Sequence, residues 1–167
     1  MYLLVCASFG VCGTIQMMNS RVEKLALVLL RVSLGWMMFY AGITKVLDPA
    51  WSAAGYLQNA KTFPELFNFF LQPSVLPVVN LINEWGLTLL GVSLILGAFV
   101  RLSSILGALL MILYYLPILA FPYPNPHAYI VDEHVIYFFV LVFFAAIRAG
   151  RVWGLDQWLG RQRSLLG

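Results

Sequence analysis

Residues 102–121 read LSSILGALLMILYYLPILAF and contain no charged side chain. A helix needs about 20 mostly apolar residues to cross the hydrocarbon layer of a membrane, and this run has that length. The whole chain shares its character, since 62% of its 167 residues are hydrophobic and 10% are charged. Soluble domains are about 45–50% apolar and about 25% charged. The composition therefore excludes a cytosolic enzyme and a nucleic-acid binder, and it indicates an integral membrane protein surrounded by lipids.

Three more windows are long and apolar enough to cross the membrane, at residues 25–47, 76–100 and 129–147. Backbone polar groups in lipid must be hydrogen-bonded within the protein, and the alternating pattern of a membrane barrel is absent. We therefore predict an all-α integral membrane protein, a four-helix transmembrane bundle within residues 21–159. Glycines on the first two spans are predicted to let helix backbones approach closely; they are Gly35, Gly42, Gly86, Gly91 and Gly97.

The charges in the loops predict the orientation of the chain, because cytoplasmic loops are enriched in Lys and Arg. One side of the predicted bundle carries Arg21, Lys24, Arg101, Arg148, Arg151, Arg161 and Arg163, and the other carries Lys45 and Lys61. Both termini are therefore expected in the cytoplasm, and the chain in the inner (cytoplasmic) membrane as a multi-pass protein. Residues 1–20 are expected to form an N-terminal extension, either disordered or a weak extra span, and residues 160–167 a cytoplasmic tail.

The first outer loop is rich in aromatic residues. Pro49 and Pro64 predict the starts of two short amphipathic helices, over residues 50–62 and 65–71, because Pro is favoured in the first turn of a helix. Two interpretations remain open for them: an anchor in the membrane interface, or a lid over a ligand site. Pro117 is expected to kink the outer end of the third span and to free a backbone carbonyl there.

Ionisable side chains inside spans are costly and are candidate functional groups. Glu84 and His134 are predicted to lie in one outer layer of the membrane, where they could form a proton relay. Lys45, Asn80, Trp85, Tyr114 and Asp132 are predicted to line a quinone or substrate site in the same layer. The alternative is a structural network that holds the helices together. A single His in the spans with scattered acids gives too few ligands for a metal site, and no haem or flavin motif is evident.

Two arginines are assigned structural or lipid-binding roles. Arg31 lies in the inner half of the first span and is expected to snorkel to the lipid headgroups. If it points inward instead, Ser103, Ser104 or a lipid phosphate are its expected partners. Arg101 lies in the short inner loop.

These residues together resemble the DoxX/DoxD family of membrane proteins. Four groups carry the resemblance: Arg31, Gly35, Gly42 and Lys45; Glu84, Gly86, Gly91, Gly97 and Arg101; Asp48 to Trp51 with Gly55 to Leu57; and Ala149 to Arg151 with Gly154 to Asp156. The third group looks most like the DoxD branch. The resemblance spans about residues 21–159 and implies a four-helix membrane subunit. In the DoxD branch it implies a part in a thiosulfate:quinone oxidoreductase, with quinone as a possible cofactor.

The functional expectation is a membrane subunit of a redox system that handles quinone. Such a site needs an apolar cavity open to lipid, hydrogen-bond donors and a proton source. Other membrane or periplasmic subunits are the expected protein partners. The alternative is a non-catalytic accessory subunit of a larger respiratory or photosynthetic complex; a small transporter or lipid-binding protein is a third possibility.

Overall fold

The fold is described here from a computed structural model, which covers residues 3–6, 12–15, 20–125 and 127–163. Seven α-helices follow a short antiparallel pair of strands, β1 (Leu3–Cys6) and β2 (Cys12–Ile15). The helices are α1 (Arg21–Val46), α2 (Ala54–Gln58), α3 (Pro64–Phe70), α4 (Leu76–Leu96), α5 (Val100–Ile118), α6 (Glu133–Ile147) and α7 (Leu155–Arg163), with a 3₁₀ turn at Ala149–Arg151. The expected N-terminal extension or extra span falls largely outside the described residues and stays a prediction.

Among the described residues, three helices are long and apolar enough to cross a membrane: α1, α4 and α5. They confirm three of the predicted spans and a multi-pass membrane protein in contact with lipid. The fourth predicted span appears as α6, which is apolar but only 15 residues long. At about 1.5 Å per residue it covers about 22 Å, less than the roughly 30 Å of a hydrocarbon core. The complete four-helix bundle and its orientation remain predictions.

Side-chain caps account for the helix ends that the sequence windows misplaced. α1 begins at Arg21 because the hydroxyl of Ser20 accepts a hydrogen bond from the Glu23 amide, while the Glu23 carboxylate accepts one from the Ser20 amide. α6 begins at Glu133, four residues late, because the Asp132 carboxylate caps it by accepting from the amides of His134 and Val135.

α1 runs antiparallel to α4, and glycines allow the two backbones to touch. A Cβ on Gly42 would lie 2.4 Å from the Thr88 amide nitrogen, and one on Gly91 would lie 2.3 Å from the Phe39 amide nitrogen. The prediction of close packing is confirmed at these positions. It is wrong for Gly86, where the nearest atom to an added Cβ is 3.8 Å away, within α4 itself.

α6 packs along α5, and the core lies between these helices and the α1–α4 pair. Its buried side chains include Leu34, Met38, Leu87, Leu90, Leu94, Met111, Leu141 and Phe144. A second, smaller core joins α2 and α3 to the start of α4 and the end of α5, around Ala53, Leu57 and Phe67. We call α2 and α3, with the residues between them, the hairpin. The end of the molecule that carries it is the hairpin end, and the opposite end, with the 3₁₀ turn and α7, is the tail end.

Candidate functional site

A chain of polar side chains crosses the hairpin end from α6 to α4. The Asp132 carboxylate lies 2.7 Å from Nδ1 of His134, and the Asp132 side chain is almost fully buried. The His134 ring meets the Tyr114 ring edge-on, with centroids 6.0 Å apart. The Tyr114 hydroxyl donates a hydrogen bond to Oδ1 of Asn83. Three of the predicted site residues are therefore brought together, and Asn83 completes the chain.

Tyr56, in α2, connects the hairpin to this polar chain through Tyr114, a contact that the sequence did not predict. Its hydroxyl donates a hydrogen bond to the backbone carbonyl of Tyr114, and the two rings meet edge-on at 6.3 Å. Burial, reinforced by the negative charge of Asp132, raises the pKa of Tyr56 to about 12. The hydroxyl is consequently protonated at neutral pH and available as the donor.

Two further hydrogen bonds hold the hairpin over the end of α5. The Lys61 amide donates to the Pro117 carbonyl at 2.9 Å, and the Thr62 hydroxyl donates to the Leu119 carbonyl. The last carbonyls of a helix have no partner within it, so the hairpin acts as a cap for α5. The carbonyls of Pro117 and Leu119 are available because α5 ends here, and the predicted kink at Pro117 stays a prediction.

Lys45 and Asn80 also lie at the hairpin end, but their side chains contact groups outside the polar chain. The Lys45 ammonium donates to the Ala41 carbonyl at 2.9 Å and lies 5.3 Å from the centre of the Trp51 ring, a cation–π arrangement. The Asn80 side-chain oxygen accepts from the Ala53 amide at 2.9 Å. Both residues fix the loop before α2, and neither bonds to the chain from Asp132 to Asn83.

Glu84 lies on a different face of α4 from Asn83. Its backbone carbonyl would be 2.9 Å from a Cβ on Gly42, so this side of α4 is the one that faces α1. Within the described part of the chain, no residue forms a hydrogen bond or ion pair with the half-buried Glu84 carboxylate. The predicted contact between Glu84 and His134 is therefore not formed, and Trp85 is exposed on the helix surface.

An apolar groove of about 580 Å³ runs between α4 and α5 and opens sideways. Its lining includes Ile82, Gly86 and Leu89 from α4, and Leu106, Leu110 and Leu113 from α5. Gly86 lines this groove and not the contact with α1. Its missing side chain therefore leaves space in the groove and does not serve helix packing. At the hairpin end the groove residues Ile82 and Leu113 are the sequence neighbours of Asn83 and Tyr114. The groove and the polar chain thus share the same two helices.

Arg31 does not snorkel, and that expectation is wrong. Its side chain is 1% exposed, and its guanidinium donates to the carbonyls of Ala149 at 2.7 Å and Val152 at 3.0 Å. The carbonyls are accessible because the chain leaves α6 in a left-handed residue, Arg148, and a 3₁₀ turn. The expected partners are wrong as well, since Ser103 bonds to Ser93 and the Ser104 hydroxyl has no partner among the described residues. Arg101, by contrast, is exposed.

Asp156 makes a second set of contacts at the tail end, and the sequence did not predict a role for it. Its carboxylate accepts hydrogen bonds from the amides of Phe99 at 2.7 Å and Val100 at 3.0 Å, and so caps α5. Its own amide donates to the Gly97 carbonyl at 2.9 Å. Gly150 and Gly154 flank this contact, and a Cβ on Gly150 would lie 2.1 Å from the carboxylate. The available signal in the sequence was an Asp that closely follows two glycines, Gly150 and Gly154.

No group of three or more His, Cys, Asp or Glu side chains within residues 20–125 and 127–159 is placed to hold a metal ion. The arrangement offers instead a carboxylate, an imidazole and a phenol in hydrogen-bonding or ring contact beside an apolar groove.

Comparison with known protein families identifies the family of this protein. The family model described as DoxX matches residues 26–119, more than half of the 167 residues, from α1 through α5. No curated protein and no solved structure gives a significant match. The matched range excludes α6, the tail end and the N-terminal strands. With three apolar helices of spanning length and this match, the chain belongs to the DoxX family of membrane proteins.

Proposed function

We propose that this protein is a membrane subunit of a redox system that handles quinone at the hairpin end, in the manner of a thiosulfate:quinone oxidoreductase. One observation supports the proposal: Tyr114 and Asn83, two members of the polar chain, lie on α5 and α4, the two helices that line a lipid-accessible apolar groove. A quinone has an apolar tail and two carbonyls, so it requires both an apolar slot and hydrogen-bonding groups at one end of it.

The proton chemistry in this proposal belongs to the Asp132–His134 pair. Because Asp132 bonds Nδ1 of His134, Nδ1 carries the proton in the neutral ring and Nε2 is left to exchange one. Reduction of a quinone consumes two electrons and two protons. With a quinone bound, the pair would supply the proton for one quinone oxygen and solvent would supply the proton for the other, while a partner subunit that oxidises a sulfur compound such as thiosulfate would supply both electrons.

Lys45 and Asn80 keep a binding role in this proposal through the loop before α2, which they fix. Trp85, which is exposed on α4, keeps its role as a predicted quinone contact. Glu84 is the candidate for bringing protons in from the α1 side, because its carboxylate lies inside a spanning helix without a described partner. This role predicts that Glu84→Gln slows quinone reduction while the protein still assembles.

The test compares two histidines in protein purified in mild detergent. We expect His134→Gln to lower quinone-linked turnover by about 100-fold or more, the range that a positioned general acid contributes. His127→Gln changes an exposed histidine in the loop before α6 and should leave turnover unchanged. Equal turnover in both variants and the parent protein would remove His134 from the mechanism.

The accessory-subunit alternative is favoured by one specific contact. Asp132 caps α6, and His134 bonds to that same carboxylate, so the pair can be explained by helix stability alone. Mass spectrometry of the natively purified protein separates the two proposals. A bound quinone with few protein partners supports the redox function, whereas a stoichiometric large complex without quinone at this chain supports the accessory function.

A further inference from the structure

Helix α3 is apolar on two of its sides, although only one of them is buried by protein. Phe67 is 2% exposed and packs against the small core of the hairpin. Leu66 and Phe69, by contrast, are 44% and 50% exposed. An exposed pair of large apolar side chains on so short a helix indicates a surface that something else covers.

The positions around α3 divide into two arcs. At about 100° per residue, Leu66 and Phe69 extend the buried side formed by Phe67 and Phe70 into one continuous apolar arc. The remaining arc is polar and exposed, and consists of Glu65, Asn68 and Gln72. A helix with one side on the protein, one side apolar and one side polar matches the layers of a membrane interface.

Phe63 precedes α3 in a strained conformation that exposes its ring. Its φ is 54°, in the left-handed region that large residues rarely occupy, and 59% of its surface is accessible. Such strain persists only where other interactions compensate for it. The exposed ring is therefore available for contact with acyl chains.

Exposed apolar side chains also occur at the start of α4, near the same small core. Phe67 of α3 belongs to that core, and Leu76 and Val79 of α4 pack against it. On α4, Val78 and Leu81 are 54% and 56% exposed. They belong to a helix of membrane-spanning length.

We propose that α3 lies in the lipid–water interface at the hairpin end, with Phe63, Leu66 and Phe69 among the acyl chains. The polar arc faces water. The hairpin is then held on two sides, by the α5 carbonyls and by the bilayer, and it is a fixed cover rather than a mobile lid. This inference stands independently of the proposed quinone function.

Spin labels placed around α3 in lipid nanodiscs test the arrangement. Single cysteines are introduced at Leu66 and Phe69, and at Glu65 and Asn68 as matched controls, in a chain with Cys6→Ser and Cys12→Ser. All four positions are exposed, so the labels do not disturb the core. Labels at Leu89 on α4 and at Asp48 in the loop before α2 serve as references for exposure to lipid and to water, respectively. Collision with oxygen reports lipid exposure, and collision with a water-soluble nickel complex reports water exposure.

We expect the labels at Leu66 and Phe69 to match the Leu89 reference, with oxygen access several-fold above nickel access. Labels at Glu65 and Asn68 should match the Asp48 reference. High nickel access at all four positions would place α3 in water and overturn the proposal. Low access to both reagents at Leu66 and Phe69 would mean that a protein covers the row, which overturns it equally.

Discussion

At the scale of single residues, Arg31 is the most consequential side chain of the tail end. It is a buried cation within a spanning helix; its hydrogen-bond partners are two backbone carbonyls, and the negative charge of Asp156 also acts on it. The guanidinium suits this task because it presents several donors in a fixed plane and stays charged. Arg31 therefore joins α1 to the segment that follows α6.

Replacing Arg31 should destabilise the fold. Arg31→Met removes the donors and leaves the Ala149 and Val152 carbonyls unpaired in a buried place, at a cost of about 1–3 kcal/mol for each. The thermal unfolding midpoint in detergent should fall clearly. Arg101→Met is the matched control, since Arg101 is exposed and its loss should leave the midpoint unchanged. A stable Arg31→Met protein would show that the two carbonyls find other donors.

The sequence placed Arg31 on the first predicted span, but it predicted neither its burial nor its partners. Those lie 118 and 121 residues further along the chain, and no spacing rule connects them. The same limit explains Tyr56, whose contact with the Tyr114 carbonyl joins a loop helix to a distant span. Asp132 and His134 lie only two residues apart, so the sequence could place them together, although it did not predict that Asp132 caps α6.

At the scale of helices, the pairing of α1 with α4 depends on backbone contact. Hydropathy located α1, α4 and α5 because apolar length is a property of the local sequence. It could not distinguish a glycine that faces another helix from one that opens a groove, since that depends on how α4 is rotated. Gly91 and Gly86 illustrate the two cases.

Two alanine substitutions on α4 separate these cases. Gly91→Ala places a methyl group 2.3 Å from the Phe39 amide nitrogen, so α1 must move away. We expect a loss of about 1–3 kcal/mol, as for overpacking in a core. An added methyl group at Gly86 has its nearest neighbour at 3.8 Å, an ordinary contact, so Gly86→Ala should be neutral or stabilising by up to about 1 kcal/mol, because Ala favours the helix. Reversible unfolding in mixed micelles measures both, and equal stability of the two variants would contradict the close pairing of α1 with α4.

At the scale of the whole molecule, each end of the helix assembly is closed by a segment outside the long helices. The hairpin caps the carbonyls at the end of α5, and Asp156 caps the amides at its start. α5 is thus satisfied at both ends by other parts of the chain. The family match covers the first of these segments and stops before the second.

The tail end should consequently be needed for a stable fold, although it lies beyond the matched range. A chain that stops after Arg148 loses the partners of Arg31 and the cap of α5 together. We expect little folded protein after extraction and gel filtration, whereas a chain that stops after Arg163 keeps every described contact and should behave as the parent does. Equal yields of folded protein would show that α1 through α6 need no tail.

The bond between Arg31 and the end of α6 also bears on the order of events during synthesis. Arg31 leaves the ribosome 118 residues before Ala149, the first of its two acceptors. Throughout that interval a permanent cation sits in the first apolar segment without its final partners, where a charge at the membrane centre is unfavourable. α1 therefore cannot form its bonds to the tail end until the segment that follows α6 has been made.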